Sequence, residues 1–462
     1  MRLRITALLL LFGITPLAFS QKRIADIPFQ KTRGVGQIRG MVQNDIIFLK
    51  FKYTDATSKP AGESYLIKPD GTYTEIDLHD LDEKPVLALI TSEENTVCYF
   101  LEDNKKNVVI RAKVISTQTG KGNILPRQID LPGNVYGSYT EGNALYLLCS
   151  VKGGFNLKLV RIEDLEIKQE TIFPLSFDLG KIKKAGVTFY EAGSNLIPAQ
   201  VTSPVKIVKE KSAIRILVDQ FYNRDASDPI AGATYSTSVI TLDLVTGKSS
   251  NFNFIEPSLN FFNSFLFHEH LFRVVNDGGF RIEVFNLEKK AKVYTQTIPA
   301  DNQLKNDTLY TRQQKEVRKS FFLKKIVGVN INSFILADSL SDGNLVLTLG
   351  NFGVASQPVP IIPSLGLMGA MVSLTSLAAI HALDEGSAFY NYFYVSGSVT
   401  NGFRISYEAA SLRKNIDQYE FDLQEKKEKF KYKGYLSHDN GIYGIYRVGT
   451  EDIIHILDFS RK

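Results

Sequence analysis

The feature that most restricts this fold is a short apolar run, opened by a polar turn, that returns along the chain and is apolar on both strand faces. Gln43-Asn44-Asp45 precedes the run at 46–49, Glu93-Glu94-Asn95 that at 96–101, and Glu141-Gly142-Asn143 that at 144–148. Lys209-Glu210-Lys211 precedes 214–218, His268-Glu269 precedes 270–275, Asp342-Gly343-Asn344 precedes 345–349, and Asp439-Asn440-Gly441 precedes 442–446. Turn residues between β-branched and aromatic runs are hairpin signals. Partner segments at 108–114, 157–162, 280–285 and 453–457 follow closely and alternate more cleanly. An antiparallel strand with one wet face must alternate, so the runs at 97–101, 144–149 and 345–349 need cover on both faces. A two-sheet sandwich leaves one face of each strand wet. Small sheets stacked around an axis cover both, with inner strands buried on two sides and outer strands progressively wetter.

The repeat of about 45 to 60 residues suits a four-stranded blade with its loops, so the expected fold is an all-β β-propeller. The gap between Asn344 and Asn440 is about twice the mean repeat. Either an eighth unit uses Phe389 to Val395 and Phe403 to Ala409, or the sixth blade carries an insertion at 353–386; seven blades with the insertion is the favoured count. The last unit offers three clear strands, at about 432–437, 442–448 and 452–459, and the segment Arg23 to Phe29 is left over at the other end. That segment is expected to add an outer strand to the last blade and so close the ring, with Pro28 suiting an edge. No WD, kelch or Asp-box signature occurs, and Trp is absent. The leader described next and the repeat across 35–460 together resemble the degenerate propellers of uncharacterised exported proteins in Bacteroidetes-like bacteria. The resemblance implies architecture and no catalytic residue.

Arg2 and Arg4 precede an apolar core from Ile5 to Phe12, and Ala18-Phe19-Ser20 follows. This is the order of a signal peptide, with cleavage expected after Ser20 and a single propeller domain over 21–462. Removing Arg2 and Arg4 lowers the formal charge from +5 to +3. A chain so near neutrality has no electrostatic footprint for nucleic acid. No cysteine follows the apolar core and the chain end shows no anchor tail, so the expected destination is periplasm, cell surface or exterior. Cys98 and Cys149 are the only cysteines. They read as two buried thiols or as one bridge needing a close approach of neighbouring sheets, the first being favoured.

Chemistry-bearing motifs are few. The sequence has no G-x-S-x-G, H-E-x-x-H or P-loop, and two cysteines cannot form a structural zinc site of paired C-x-x-C. His268 and His270 share a strand face and could ligate a metal, or simply flank a turn. Asp77, His79, Asp80, Asp82 and Glu83 form an acidic cluster without the spacing of a calcium loop, which favours a solvated inter-strand loop. Asn223, Asp225 and Asp228 fall in a long loop between Phe221 and Tyr235, read as a mobile tip rather than a functional loop. Tyr390, Tyr392 and Tyr394 line one side of a strand and serve either interblade packing, the favoured reading, or stacking on a ligand.

No cofactor, metal or catalytic residue is assigned. The expected function is an exported, non-catalytic binding or scaffold propeller of the cell envelope whose partner is a protein or glycan. The alternative is a glycan hydrolase or lyase with a site at the channel mouth. From Gly343 to Leu383 no Asp, Glu, Lys or Arg occurs. The apolar part at 361–383 is long enough to span a membrane, but a span would separate the last repeat from its sister blades. Residues 354–371 are instead expected to form a capping or protruding loop between two strands of one blade and to be an interaction surface, with burial over the propeller as core and a membrane-touching lip the competing readings.

Overall fold

The computed structural model describes residues 20–460 except 30–33, 44, 55–59, 82–83, 105–106, 132, 152–155, 176–186, 193, 195, 197–200, 224–232, 258–261, 277–278, 300–302, 305–309, 312–320, 323–331, 340–343, 355–387, 406–411, 426–429, 439–440 and 449–451. The described residues form seven sheets of four or five strands, one for each apolar run, and the protein is a β-propeller. Blade 1 runs Gly34–Gln43, Ile46–Thr54, Pro60–Ile67, Tyr73–Ile76. Blade 2 runs Val86–Thr91, Asn95–Asn104, Asn107–Ser116 and an outer strand split into Gly122–Ile124 and Ile129–Leu131. Blade 3 comprises Val135–Glu141, Ala144–Ser150, Asn156–Glu163 and Glu166–Pro174. Blade 4 carries Val205–Lys209, Ala213–Asn223, Ala233–Asp243 and Ser249–Pro257, with Val187–Glu191 added in parallel to its inner edge. Blade 5 is Phe262–Phe267, His270–Asn276, Gly279–Asn286 and Ala291–Pro299.

Blade 6 takes Asn332–Ser339, Leu345–Val354 and Ala388–Ser398, the last flanked by Tyr310–Thr311 and Gly402–Ile405. Residues 389–395 and 403–405 therefore complete the sixth blade and build no eighth. Val354 pairs with Ala388, so the apolar stretch leaves and rejoins one hairpin of one blade. Residues 355–387, with most of the expected interaction loop, lie outside the described residues. Blade 7 is Phe430–His438, Gly441–Val448, Ile453–Ser460 and, on its outer edge, Ser20–Pro28 from the opposite end of the chain. Pro28 faces Ile453 in that edge strand, where its missing N–H breaks no further ladder.

The apolar runs are the second strands of the blades, and this refines the expectation that the innermost strands are the most buried. Leu145, Leu147 and Cys149 pack toward blade 2, whereas Leu148 of the same strand packs toward blade 4. The innermost strand Val135–Glu141 is mostly half-buried. Its second edge is left to the channel, while a second strand has a neighbour on each edge and a blade against each face. Outer strands such as Glu166–Pro174 are largely exposed and carry charge and a terminal proline, which protects a free edge.

Blade 7 also meets a helix that the sequence analysis did not find. One face of the blade, with Tyr443, Ile445, Ile454 and Ile456, packs on blade 1. The other, with Ile442, Tyr446, Leu457 and Phe459, is covered by helix α1, Leu412–Glu425, through Ile416, Tyr419 and Leu423. Among the described residues no buried cluster joins blade 7 directly to blade 6.

Candidate functional site

The acidic cluster lies on the connector from blade 1 to blade 2, and two buried lysines explain its position. Lys50, from the second strand of blade 1, donates to the Leu81 carbonyl at 2.9 Å. Lys113, from the third strand of blade 2, donates to the Asp77 carbonyl at 2.7 Å and to Asp80 Oδ1 at 2.8 Å. Both side chains leave apolar strands, so their ammonium groups need oxygen partners at the seam. The cluster is thus an inter-blade connector in which Asp80 serves as a counter-ion; Asp82 and Glu83 lie outside the described residues.

Beside this connector opens a cleft of about 330 Å³, and it is the candidate site. Blade 1 supplies Glu63, Ser64 and Glu75, the connector Asp77 and His79, and a turn of blade 2 Thr119, Gly120 and Lys121. The turn is docked by the Asp77 N–H on the Gly120 carbonyl at 3.0 Å. Gly120 is in the left-handed region, at φ +68°, and a Cβ there would lie 1.9 Å from the Glu75 carbonyl oxygen, so no other residue fits. Tyr65 donates to Glu63 Oε2 at 2.7 Å, which orients that carboxylate; burial and Glu63 together push the phenol well above its ordinary range. Glu75, Asp77 and His79 are exposed. Three carboxylates against Lys121 make the cleft a negative, hydrogen-bonding recess suited to a cationic or hydroxyl-rich group.

The remaining candidates are dispersed. Cys98 sits in the seam between blades 1 and 2 and Cys149 in that between blades 2 and 3; both are free, and burial pushes each thiol up to about 12. A whole sheet separates the seams, which keeps the sulfurs from bridging. His268 occupies a tight turn at φ +53° with its ring 4.3 Å from that of Phe267, while His270 opens the next strand with Nδ1 3.2 Å from Glu269. Among the described residues no group of three His, Cys, Asp or Glu is placed to hold a metal ion. Tyr392 and Tyr394 are buried in the core shared by blades 4 to 6, the packing role. Asn223 pairs with Ala233 at the end of its hairpin; Asp225 and Asp228 lie outside the described residues.

Charges also sit inside the ring, away from every residue singled out in the sequence. Lys206, wholly buried, lies 3.4 Å from Asp219 Oδ2, and burial lowers the lysine's pKa against the opposing pull of that carboxylate. Asp219 also accepts from Thr237 Oγ1 at 2.8 Å and, across the seam, from the Ser264 hydroxyl at 2.8 Å and amide at 3.0 Å. Arg273 is paired with Glu283 inside blade 5 and donates to the Phe254 carbonyl of blade 4 at 3.3 Å. The available signal was a charge interrupting an apolar strand, as in Leu49-Lys50-Phe51 and Phe272-Arg273-Val274.

Toward the channel, the added strand Val187–Glu191 fills space between blades. Phe189 stacks on Tyr139 of blade 3 at 6.1 Å and Tyr190 on Phe265 of blade 5 at 5.9 Å. Gly137 makes room for Phe189, since a Cβ there would lie 2.2 Å from the ring. Gly137→Val is therefore expected to displace Phe189 and cost about 1–3 kcal/mol, read as a lower urea midpoint.

No protein-family profile and no curated protein matches the chain. Solved structures similar to it include the Dos1 propeller, at 10% identity over 96% of each chain with a TM-score of 0.36. An apocarotenoid oxygenase mutant of Synechocystis is 8% identical over 68% of this chain and 66% of that one, TM-score 0.29. A puromycin-hydrolyzing peptidase of Mycobacterium tuberculosis is 11% identical over 70% of this chain and 47% of that one, TM-score 0.29. Such scores transfer no activity, and the propeller assignment rests on the sheet topology. Among the described residues no helix is long and apolar enough to cross a membrane.

Proposed function

We propose that this is an exported, non-catalytic binding or scaffold propeller of the cell envelope, whose partner presents a cationic or hydroxyl-rich group to the cleft between blades 1 and 2. The leader-like order of residues 1–20 supports export. The observation that carries the binding role is that the cleft is open and negatively charged while its walls are pinned by Lys50 and Lys113. A recess held rigid by these two lysine anchors loses little freedom on binding. The partner is then a basic segment of an envelope protein or a glycan.

The test is calorimetric titration of the protein with a short lysine-rich peptide and with a neutral oligosaccharide. Glu75→Lys with Asp77→Lys reverses two exposed charges, so Tm is expected to stay close to that of the parent. Affinity for the peptide is expected to fall about tenfold or more, each charge-assisted hydrogen bond being worth about 1.5–3 kcal/mol. Binding that survives the reversal, or binding of neither probe by the parent, would overturn the assignment of the cleft.

A further inference from the structure

The outer strands of the blades carry features that keep a free edge from pairing, and blade 4 lacks them. Those of blades 1 and 6 are short, at Tyr73–Ile76 and Gly402–Ile405, and that of blade 2 is split in two. Those of blades 3, 5 and 7 each break register against the neighbouring strand and carry charge, as Lys168 and Glu170 do in blade 3. Short edges, bulges and charges all discourage edge pairing. The outer strand of blade 4, Ser249–Pro257, is nine residues long, keeps one unbroken register with Ala233–Asp243 and has no charged residue from 249 to 255. Among the described residues no strand pairs with its outer edge.

We propose that this edge is a self-association surface, at which a second copy of the chain adds its own Ser249–Pro257 antiparallel about a two-fold axis through Phe252. The fourth blades of the two copies then form one continuous sheet.

The phase of the strand permits this pairing. The Asp243 N–H donates to the Lys248 carbonyl at 2.8 Å, and bonded pairs alternate from there. Ser250, Phe252 and Phe254 therefore bond inward, and the residues between them, Asn253 among them, turn N–H and C=O to the outer edge. An axis at Phe252 sets Ser249 against Ile255 and Asn251 against Asn253 of the second copy, all of them outward-turned positions. Phe252, half-buried with Lys290 Nζ 5.6 Å from its ring centre, meets its own copy in a pair without hydrogen bonds, where side chains approach most closely.

The charges select the same register. Lys248 and Glu256 flank the neutral run, and Lys248 is exposed. The axis at Phe252 sets each of the two opposite the other, at both ends of the contact. An axis one residue away in either direction loses that match. The strand is thus complementary to itself, as a two-fold contact requires.

The test is sedimentation velocity on the full chain, produced with its leader in an exporting host and purified, over a wide range of concentration. A reversible monomer–dimer equilibrium is expected, and a parent that stays monomeric throughout overturns the proposal. Lys248→Glu and Glu256→Lys, made singly, oppose like charges at both ends, so each is expected to raise the dimer dissociation constant about tenfold or more. Combining them restores opposite charges and should restore the parent's association. A dimer indifferent to the single changes, or one that the combination leaves weak, overturns the proposal. Asn253→Pro is the second variant: it removes an outward N–H and no bond to the neighbouring strand. Its Tm should stay close to the parent's while the dimer is lost, and a dimer that survives this change also overturns the proposal.

Discussion

Deleting residues 21–29 is expected to lower Tm by about 10 °C or more, because it removes a whole edge strand together with its buried side chains. The segment places Ala25, Ile27 and Phe29 in the seam with Phe51, Tyr65, Ile454 and Ile456. Ile27 and Phe29 are almost wholly buried, and each such side chain contributes about 1.5–3 kcal/mol. Phe29 also packs on Phe51 at 5.5 Å, carries Arg447 over its ring at 5.5 Å and donates its N–H to the Asp452 carbonyl at 2.7 Å. A loss of roughly 5 kcal/mol at about 2 °C per kcal/mol gives the stated shift. Deletion further bares Ile453–Ser460 as an unpaired edge, so dimers or aggregates should accompany it in light scattering. Ile27→Asp should reproduce most of the loss, because it buries a charge in that seam. Lys22→Ala, altering only an exposed side chain, should not. An unchanged Tm for the deletion would show that the ring closes without this strand.

What the sequence disclosed of the fold follows the same physics. Runs such as 144–149 are legible because a second strand is covered on both faces and must be apolar on both. Ring closure was legible because the last unit lacked a fourth strand and the other chain end held a spare one. Helix α1 escaped notice: among its described side chains the apolar face is Ile416, Tyr419 and Leu423, at helical spacing within a polar segment. The added strand Val187–Glu191 escaped because its pairing is parallel and set by tertiary packing on Tyr139 and Phe265. The site was half legible. Asp77 and His79 stood out as a cluster, but the cleft also needs Glu63, Glu75 and Lys121, which two paired strands of blade 1 and a turn of blade 2 bring together. Local pattern holds no record of such a meeting, nor of Lys50 and Lys113 crossing to the connector.

The second large effect is expected from Glu283→Gln, at about 3–5 kcal/mol, the cost of breaking one side of a buried ion pair. Arg273 and Glu283 are 1% and 2% exposed, and Arg273 Nη2 lies 2.6 Å from Glu283 Oε2. Arg281 and Lys292 reach the other carboxylate oxygen at 3.3 and 3.2 Å. The glutamine keeps the shape but leaves the Arg273 guanidinium uncompensated between the rings of Phe262 and Phe285. Burial alone would raise the Glu283 carboxyl, but Arg273 and Lys292 outweigh it and hold it below its ordinary value. A depressed carboxylate contributes stability that is present above the unfolded pKa, about 4.3, and is lost as pH falls through the lower folded value. Urea midpoints of the parent should therefore decline on acidification below about pH 4.3, and this component of the decline should be missing in Glu283→Gln. Replacing both partners, Arg273→Met with Glu283→Leu, removes the charge and its desolvation together, so the double variant should recover much of the loss at neutral pH. If instead the double variant is as unstable as Glu283→Gln, the pair does more than neutralise itself, and the Arg273 hydrogen bond to the Phe254 carbonyl joins the Ser264–Asp219 bonds in holding blade 5 to blade 4.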